Sequence, residues 1–329
     1  MSESIIRLEN VKVEFKVGGP FSRRRITVLN GVNFDVNEGE VIGLIGESGS
    51  GKTTLGKAMA GLIRPVSGKV LYKGSDIWSM DKKKFMEYRR SVQYLHQDPY
   101  SSLNPVHTIY TILSRPLLKY KVTTSDKVEE EVIDLLKEVG LTPPQDFLNR
   151  YPHQLSGGQR QRVALARIMS VKPKVLIADE PVSMIDASQR IEILNLLMEL
   201  KEKANTTIVY ITHDIATLRY ISKSGRVAVM YLGEIVEIGN VSEIVEKPLH
   251  PYTQTLLNAL LEPDPKITRN KAVRLKSYDV PSLLNPPSGC RFHTRCPYSI
   301  DGVCDKIKPQ LLPVDSSRKV ACHMINNKR

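Results

Sequence analysis

The run Gly46-Glu47-Ser48-Gly49-Ser50-Gly51-Lys52-Thr53 fits the pattern G-x-x-x-x-G-K-[ST], and its residue types suit a polyphosphate. Glycines let the backbone turn tightly, so that successive N–H groups face phosphate oxygens. The Lys52 ammonium reaches the β and γ phosphates, and the Thr53 hydroxyl is a magnesium ligand, with Thr54 beside it in the same nucleotide-binding set. Downstream, Asp179 and Glu180 form an adjacent acidic pair. Asp179 suits a carboxylate that holds Mg2+ directly or through water, and Glu180 suits a general base that polarises the attacking water. Two neighbouring acids are ordinarily a solvated turn; the glycine loop is what favours phosphoryl transfer to water.

Leu155-Ser156-Gly157-Gly158-Gln159 precedes an apparent helix from Arg160 to Arg167. Small residues that expose backbone N–H groups at a helix N-terminus form a second anion site, although a plain Ser-Gly-Gly cap would use the same residues. A nucleotide has one terminal phosphate, so two anion cradles per chain lead to the expectation that each closes on the nucleotide of a partner chain. Phe15 is a candidate to stack on an adenine ring and is equally suited to a core. His213, alone at a strand end, would ordinarily be structural.

These residues need a scaffold that brings strand ends together. Glu40–Ile45 is an apolar run suited to a buried strand, and Thr54–Leu62 reads as the helix after the loop. Lys174–Ala178 and Thr207–Thr212 are further apolar strands, with a helix from about Gln189 to Lys203 between them. Strands alternating with helices imply a parallel sheet whose ligands bind beyond the carboxyl ends of the strands. Around this core, Ile6–Phe15 and Val28–Val36 look like short strands joined through Gly18-Gly19-Pro20, Lys69–Tyr72 returns to strand, residues 82 to 90 look helical, and Val92–Leu95 is a short strand. The stretch from about 104 to 168 turns helical. Its clearest helix is expected to start at a Ser125 or Asp126 cap, to place Val128, Val132, Leu135, Leu136 and Val139 on one face, and to stop at Gly140. Arg226–Ile238 reads as a hairpin turning at Leu232-Gly233. Pro248, Pro251, Pro263 and Pro265 then mark a change of composition, and a separate C-terminal unit is expected from about 240.

The chain has 329 residues, enough for about two domains, and its 41% hydrophobic and 25% charged content is that of a soluble globular protein. It contains no run of about 18 apolar residues, and Met1–Asn10 lacks a basic-then-apolar leader. The expectation is a chain that neither spans a membrane nor is secreted by its own signal. A net charge of +12 favours anionic partners. With 6% aromatics and no aromatic-basic interleaving, nucleic acid is the weakest of these, and the runs Arg23-Arg24-Arg25 and Lys82-Lys83-Lys84 read as solvated faces. The four cysteines, Cys290, Cys296, Cys304 and Cys322, stand as C-x5-C-x7-C-x17-C. Structural zinc favours C-x2-4-C pairs, and a reducing compartment disfavours disulfides, so irregular spacing leaves a cubane cluster ahead of zinc and free thiols. His293 and His323 lie near enough in sequence to replace a thiol.

Taken together, the motifs resemble the ATP-binding cassette family. The phosphate loop at Gly46 to Thr53, a Q-loop glutamine at Gln97, the signature Leu155 to Gln159, the acidic pair, a D-loop Ser183-Met184-Ile185-Asp186 and a switch histidine at His213 occur in family order. Ile185 stands where the family usually has leucine. The resemblance implies an α/β fold with a RecA-like parallel-sheet core, an antiparallel β subdomain and a helical subdomain. This nucleotide-binding domain would occupy residues 1–239, with the helical subdomain at about 100–168. The resemblance also implies a head-to-tail sandwich of two cassettes. Lys52, Thr53, Gln97, Asp179 and Glu180 would act in cis, Gln97 among the Mg2+ ligands, and His213 would contact the γ-phosphate; Ser156 and Gly158 would act in trans.

It extends to a subgroup. Gln97–Pro105, Pro248–Thr253 and Pro286–Pro297 look like the ATPase subunits of oligopeptide and dipeptide importers, and Asp98-Pro99-Tyr100 is similar to the second of the two paralogous ATPases of such systems. That implies a C-terminal extension at 240–329 with a four-iron, four-sulfur cluster on the cysteines. It also implies a paralogous ATPase as heterodimer partner, two membrane permease subunits, an extracellular substrate-binding protein, and a place at the cytoplasmic face of the membrane. Two other readings stand beside this one: the same role for another solute such as oligosaccharides or nickel, and a soluble cassette ATPase acting on ribosomes or DNA. The latter commonly fuses two cassettes or carries a coiled-coil insertion, and neither occurs here.

Overall fold

The structure is a computed structural model that describes residues 4–18, 24–98, 102–222, 224–258 and 275–326. Arg23, the turn residues Gly19 and Pro20, Pro99-Tyr100-Ser101, Pro263 and Pro265 lie outside the described residues.

Among the described residues the strands form two sheets. In the first, β1 (Ser4–Val17) and β2 (Arg24–Asn37) make a long antiparallel hairpin, and β4 (Ser67–Tyr72) with β5 (Ser75–Asp76) extends it in the order β2-β1-β4-β5. Both hairpin strands outrun the short strands expected, because register shifts between Leu8 and Val11 and between Val13 and Glu14 break the alternation while pairing continues. The second sheet has the order β11-β12-β10-β9-β3-β8-β7-β6, in which β10 is Glu234–Asn240, β11 Leu312–Pro313 and β12 Lys319–Val320. Its centre, β9 (Arg226–Tyr231), β3 (Val41–Ile45), β8 (Thr207–Ile211), β7 (Val175–Asp179) and β6 (Val92–Leu95), is parallel throughout.

These central strands are almost wholly apolar because both faces are covered. Ile42, Leu44, Ile177, Val209 and Ile211 point into a core shared with the first sheet, α1 (Lys52–Met59) and α2 (Lys82–Ser91). Val41, Ile45, Leu176, Ala178, Ile208 and Tyr210 point into the other, with α3 (Ile109–Lys119), α4 (Val128–Glu138), α6 (Gly157–Met169), α7 (Ala187–Ala204) and α8 (Ile215–Ile221), while α5 (Gln145–Leu148) is a short turn between α4 and α6. Helix α4 buries Val128, Val132, Leu135 and Leu136, but its cap is Lys127; residues 125–127 form a turn closed by a Lys127 N–H bond to Thr124 C=O.

The C-terminal part is tied into the same sheet. Beyond the hairpin of β9 and β10 (Glu234–Asn240) come α9 (Val241–Glu246) and α10 (Pro251–Asn258), then the cysteine-bearing segment. The chain returns as β11 (Leu312–Pro313) and β12 (Lys319–Val320), where Val320 pairs with Glu237 of β10, and ends in α11 (His323–Asn326).

Candidate functional site

The parallel strands deliver the candidate residues to one edge. Ile45 ends β3 and feeds the glycine loop, Leu95 ends β6 two residues before Gln97, Asp179 ends β7, and Ile211 ends β8 two residues before His213. Leu95 is level with Ala178 and Asp179 with Ile211, so the four strand ends lie side by side.

The loop itself requires its glycines. Gly46 has φ +154°, and a Cβ there would press into the Met230 carbonyl oxygen. Gly51, at φ +103°, caps α1 with its backbone alone. At Gly49 a Cβ would meet nothing within 4 Å, so the outer side of the loop is open. Lys52 is buried, and its Nζ donates to the carbonyls of Gly46 at 2.7 Å and Glu47 at 3.0 Å, curling the loop around the ammonium. Burial holds the Lys52 pKa below its ordinary value, while Glu180, Asp179 and Glu47 pull it up. Ser50 is buried with no partner for its hydroxyl, and its carbonyl accepts from the Gly233 N–H at 2.8 Å.

Asp179 is buried; Tyr94 Oη donates to its Oδ2 at 2.5 Å, and the Thr53 hydroxyl also bonds to it. Burial raises the Asp179 pKa, and the bonds from Tyr94 and Thr53 counter that. Its Oδ1 is buried without a partner. An unpartnered carboxylate oxygen beside the Thr53 hydroxyl fits a divalent cation, since a buried acceptor left unsatisfied is costly.

Glu180 adopts φ +45°, a left-handed conformation unusual for a residue with a side chain. Its N–H donates to Ile211 C=O at 2.8 Å, and its C=O accepts from Ser183. That bend turns the carboxylate toward its neighbours: Gln97 Nε2 donates to Oε2 at 3.0 Å, and His213 Nδ1 lies 3.1 Å from Oε1. Gln97, Glu180 and His213, distant in sequence, thus form one cluster at the strand ends. Phe15 is 41% exposed on β1 rather than in the core.

The signature residues stand apart at the start of α6. Ser156 accepts from the Gln159 N–H at 3.2 Å, and the Ser156 N–H donates to Gln159 Oε1 at 3.0 Å, a reciprocal capping box. A Cβ on Gly158 would run into the Gln189 side chain. The helix is braced against the acidic strand end by Gln161 Nε2, which donates to Pro181 C=O at 2.9 Å.

Sequence reasoning missed Tyr94, which looked like one more apolar position in Val-Gln-Tyr-Leu. It also missed Tyr252 and Arg295, which reach the loop from the C-terminal part: the Glu47 N–H donates to Tyr252 Oη at 2.8 Å, and Arg295 pairs with the Glu47 carboxylate. Both residues sit in motifs noticed only for their resemblance.

Two family profiles match, "ABC transporter" over residues 29–183 and "Oligopeptide/dipeptide transporter, C-terminal region" over 236–304. The chain belongs to the ATP-binding subunits of ABC transporters, a family of ATPases. Among its relatives, the oligopeptide transport ATP-binding protein AppF of Bacillus subtilis is 40% identical over 332 residues, covering 98% of each chain. The YkfD protein of the same organism is 39% identical over 324 residues, covering 98% of this chain and 96% of its own. The ATP-binding cassette MJ0796, solved as a dimer in a post-hydrolysis state with ADP and Pi, superposes with a TM-score of 0.63 at 30% identity, over 72% of this chain and 98% of its own. The cassette cbiO1 from Clostridium perfringens, part of the complex cbiONQ, gives 0.62 at 28% identity, over 82% and 98%.

The expected iron–sulfur cluster finds no support. Among the described residues no group of three or more His, Cys, Asp or Glu is placed to hold a metal ion. The four thiols form no disulfide, and burial pushes Cys290 up to about 12 and Cys296 up to about 11. Nor do the histidines turn toward them: His293 Nδ1 bonds the Cys290 carbonyl at 2.9 Å and His323 Nε2 the Ile307 carbonyl at 2.8 Å. Among the described residues no helix is long and apolar enough to cross a membrane.

Proposed function

We propose that this chain is the ATP-hydrolysing subunit of an importer for di- or oligopeptides, working as one of two cassettes on a membrane permease. The observation that carries the reading is the meeting of Gln97, Glu180 and His213 at the strand ends that also present the phosphate loop and Asp179. The names of the relatives and the C-terminal profile support peptide as the solute class.

The loop N–H groups and Lys52 would take the β and γ phosphates, and Phe15 would stack on the adenine. The Thr53 hydroxyl, Asp179 Oδ1 and the Gln97 side-chain oxygen would hold Mg2+, whose part is to neutralise charge on the β and γ phosphates. Glu180 would accept the proton of the attacking water. Its bonds to Gln97 and His213 fix the carboxylate, and His213 would contact the γ-phosphate. Residues Ser156 to Gln159 would complete the site of the partner cassette: the Ser156–Gln159 box fixes the start of α6 and does not use the Gly157 and Gly158 N–H groups, which would serve an anion. We assign residues 1–239 to the nucleotide-binding domain and 240–329 to an importer-type extension. The partners would be a paralogous ATPase, two permease subunits at the cytoplasmic face of the membrane, and an extracellular binding protein.

The test is Glu180→Gln. The variant should bind ATP, accumulate closed cassette pairs and lose turnover by at least roughly a hundredfold. Undiminished hydrolysis would remove Glu180 from its role, and with it this mechanism.

A further inference from the structure

Arg295 lies next to Cys296, yet its guanidinium ends on the phosphate loop. Its Nη1 donates to both Glu47 carboxylate oxygens, at 3.2 and 3.0 Å, and to Tyr231 Oη at 3.5 Å. The guanidinium carbon is 5.9 Å from the Tyr231 ring centroid and 5.7 Å from that of Phe292. The Arg295 side chain is 6% exposed and that of Glu47 29%, so the pair is largely out of water.

Glu47 is held at three points. Arg295 takes its carboxylate, Tyr252 Oη its N–H, and Lys52 Nζ its carbonyl oxygen. A second brace runs in parallel. Arg291, next to Cys290, pairs with Glu234 at 3.4 Å, as does Lys308 at 3.0 Å, and Asn30 donates to the same oxygen at 2.7 Å. Glu234 follows Gly233, whose N–H holds the loop at Ser50. Both braces reach the loop from its flank and leave Ser48 and Gly49 exposed.

A carboxylate inside a polyanion cradle is repulsive unless a cation answers it, and backbone donors bind tightly only when held in place beforehand. We propose that Arg295 is a positioning residue for ATP binding: it neutralises Glu47 and, with Tyr252, fixes the Glu47 peptide, so that the cysteine-bearing C-terminal segment sets the nucleotide affinity of the loop. The inference rests on the reading that Gly46–Thr53 binds ATP.

The test uses the full chain, a fluorescent ATP analogue with Mg2+, steady-state ATP hydrolysis and a thermal melt. Arg295→Gln should weaken ATP binding about tenfold, the lower end of what a hydrogen bond to a charged group is worth. KM should rise in step while kcat changes less than about threefold, because Gln97, Glu180 and His213 are untouched. Arg295→Lys keeps the charge but not the two-oxygen contact and should lose about threefold; it carries the test should the glutamine variant fail to fold. In a Glu47→Ala background either change at Arg295 should leave affinity where Glu47→Ala put it. Full affinity in the Arg295 variants, or an Arg295 effect that persists without Glu47, overturns the proposal. Wild-type protein that fails to bind the analogue sinks the ATP reading itself and this inference with it; wild type that binds beside indifferent Arg295 variants sinks this inference alone.

Discussion

His250 couples proton uptake to stability. Its side chain is 1% exposed, with the ring centroid 6.0 Å from that of Phe292. Nδ1 accepts from the Tyr252 N–H at 3.0 Å, and the ring also bonds the Ala321 backbone. Burial opposes the charge and outweighs the bond to the Ala321 backbone, which favours it, so the pKa is pushed down to about 3; a proton on Nδ1 would also set two donors face to face. In the unfolded chain a histidine titrates near its ordinary value of about 6.5. Between these values the unfolded state binds more protons than the folded one. Stability is therefore fully present above about pH 6.5 and is lost progressively as pH falls toward 3. From pH 7.5 to 5.5 the loss from this one group is about 1.4 kcal/mol, one pH unit of complete proton uptake by the unfolded state. Other groups also contribute to a pH profile, so the informative quantity is a difference. In urea unfolding at pH 7.5, 6.5 and 5.5, wild type should lose about 1.4 kcal/mol more than His250→Gln, which does not titrate. Equal pH dependence in both proteins, or a folded-state His250 titration near 6.5, would refute the reasoning.

Gly46→Ala should cost roughly 3 kcal/mol or more and abolish ATP binding, since the new Cβ meets the Met230 carbonyl oxygen at a φ of +154°; a melt and a binding titration measure both. Gly158→Ala meets only the end of the Gln189 side chain, which can swing aside, so stability should stay within about 1 kcal/mol. The affinity of a single chain for ATP should hold, while turnover by the assembled pair falls at least about tenfold. Retained turnover would deny the signature a place in the partner's site.

What the sequence determined alone is local and chemical. The spacing of Gly46, Gly51, Lys52 and Thr53 places a loop between a buried strand and a helix, because no other residue types turn that tightly and still present N–H groups. The apolar runs at 41–45, 175–179 and 207–211 fix the parallel core, since only strands covered on both faces lack alternation. Extent was less legible: β1 and β2 continue through bulges that break the alternation, and the start of α4 slips to Lys127 because a turn, not a side-chain cap, begins it. The tertiary structure decided contacts between segments far apart in the chain. The bond of Tyr94 to Asp179, the meeting of Gln97 and His213 on Glu180, and the reach of Arg295 and Tyr252 to Glu47 depend on strand order and on how the C-terminal segment packs. The cysteines show the same division: their number and spacing are visible in the chain, but whether four thiols face a common ion depends on side-chain directions that only packing sets.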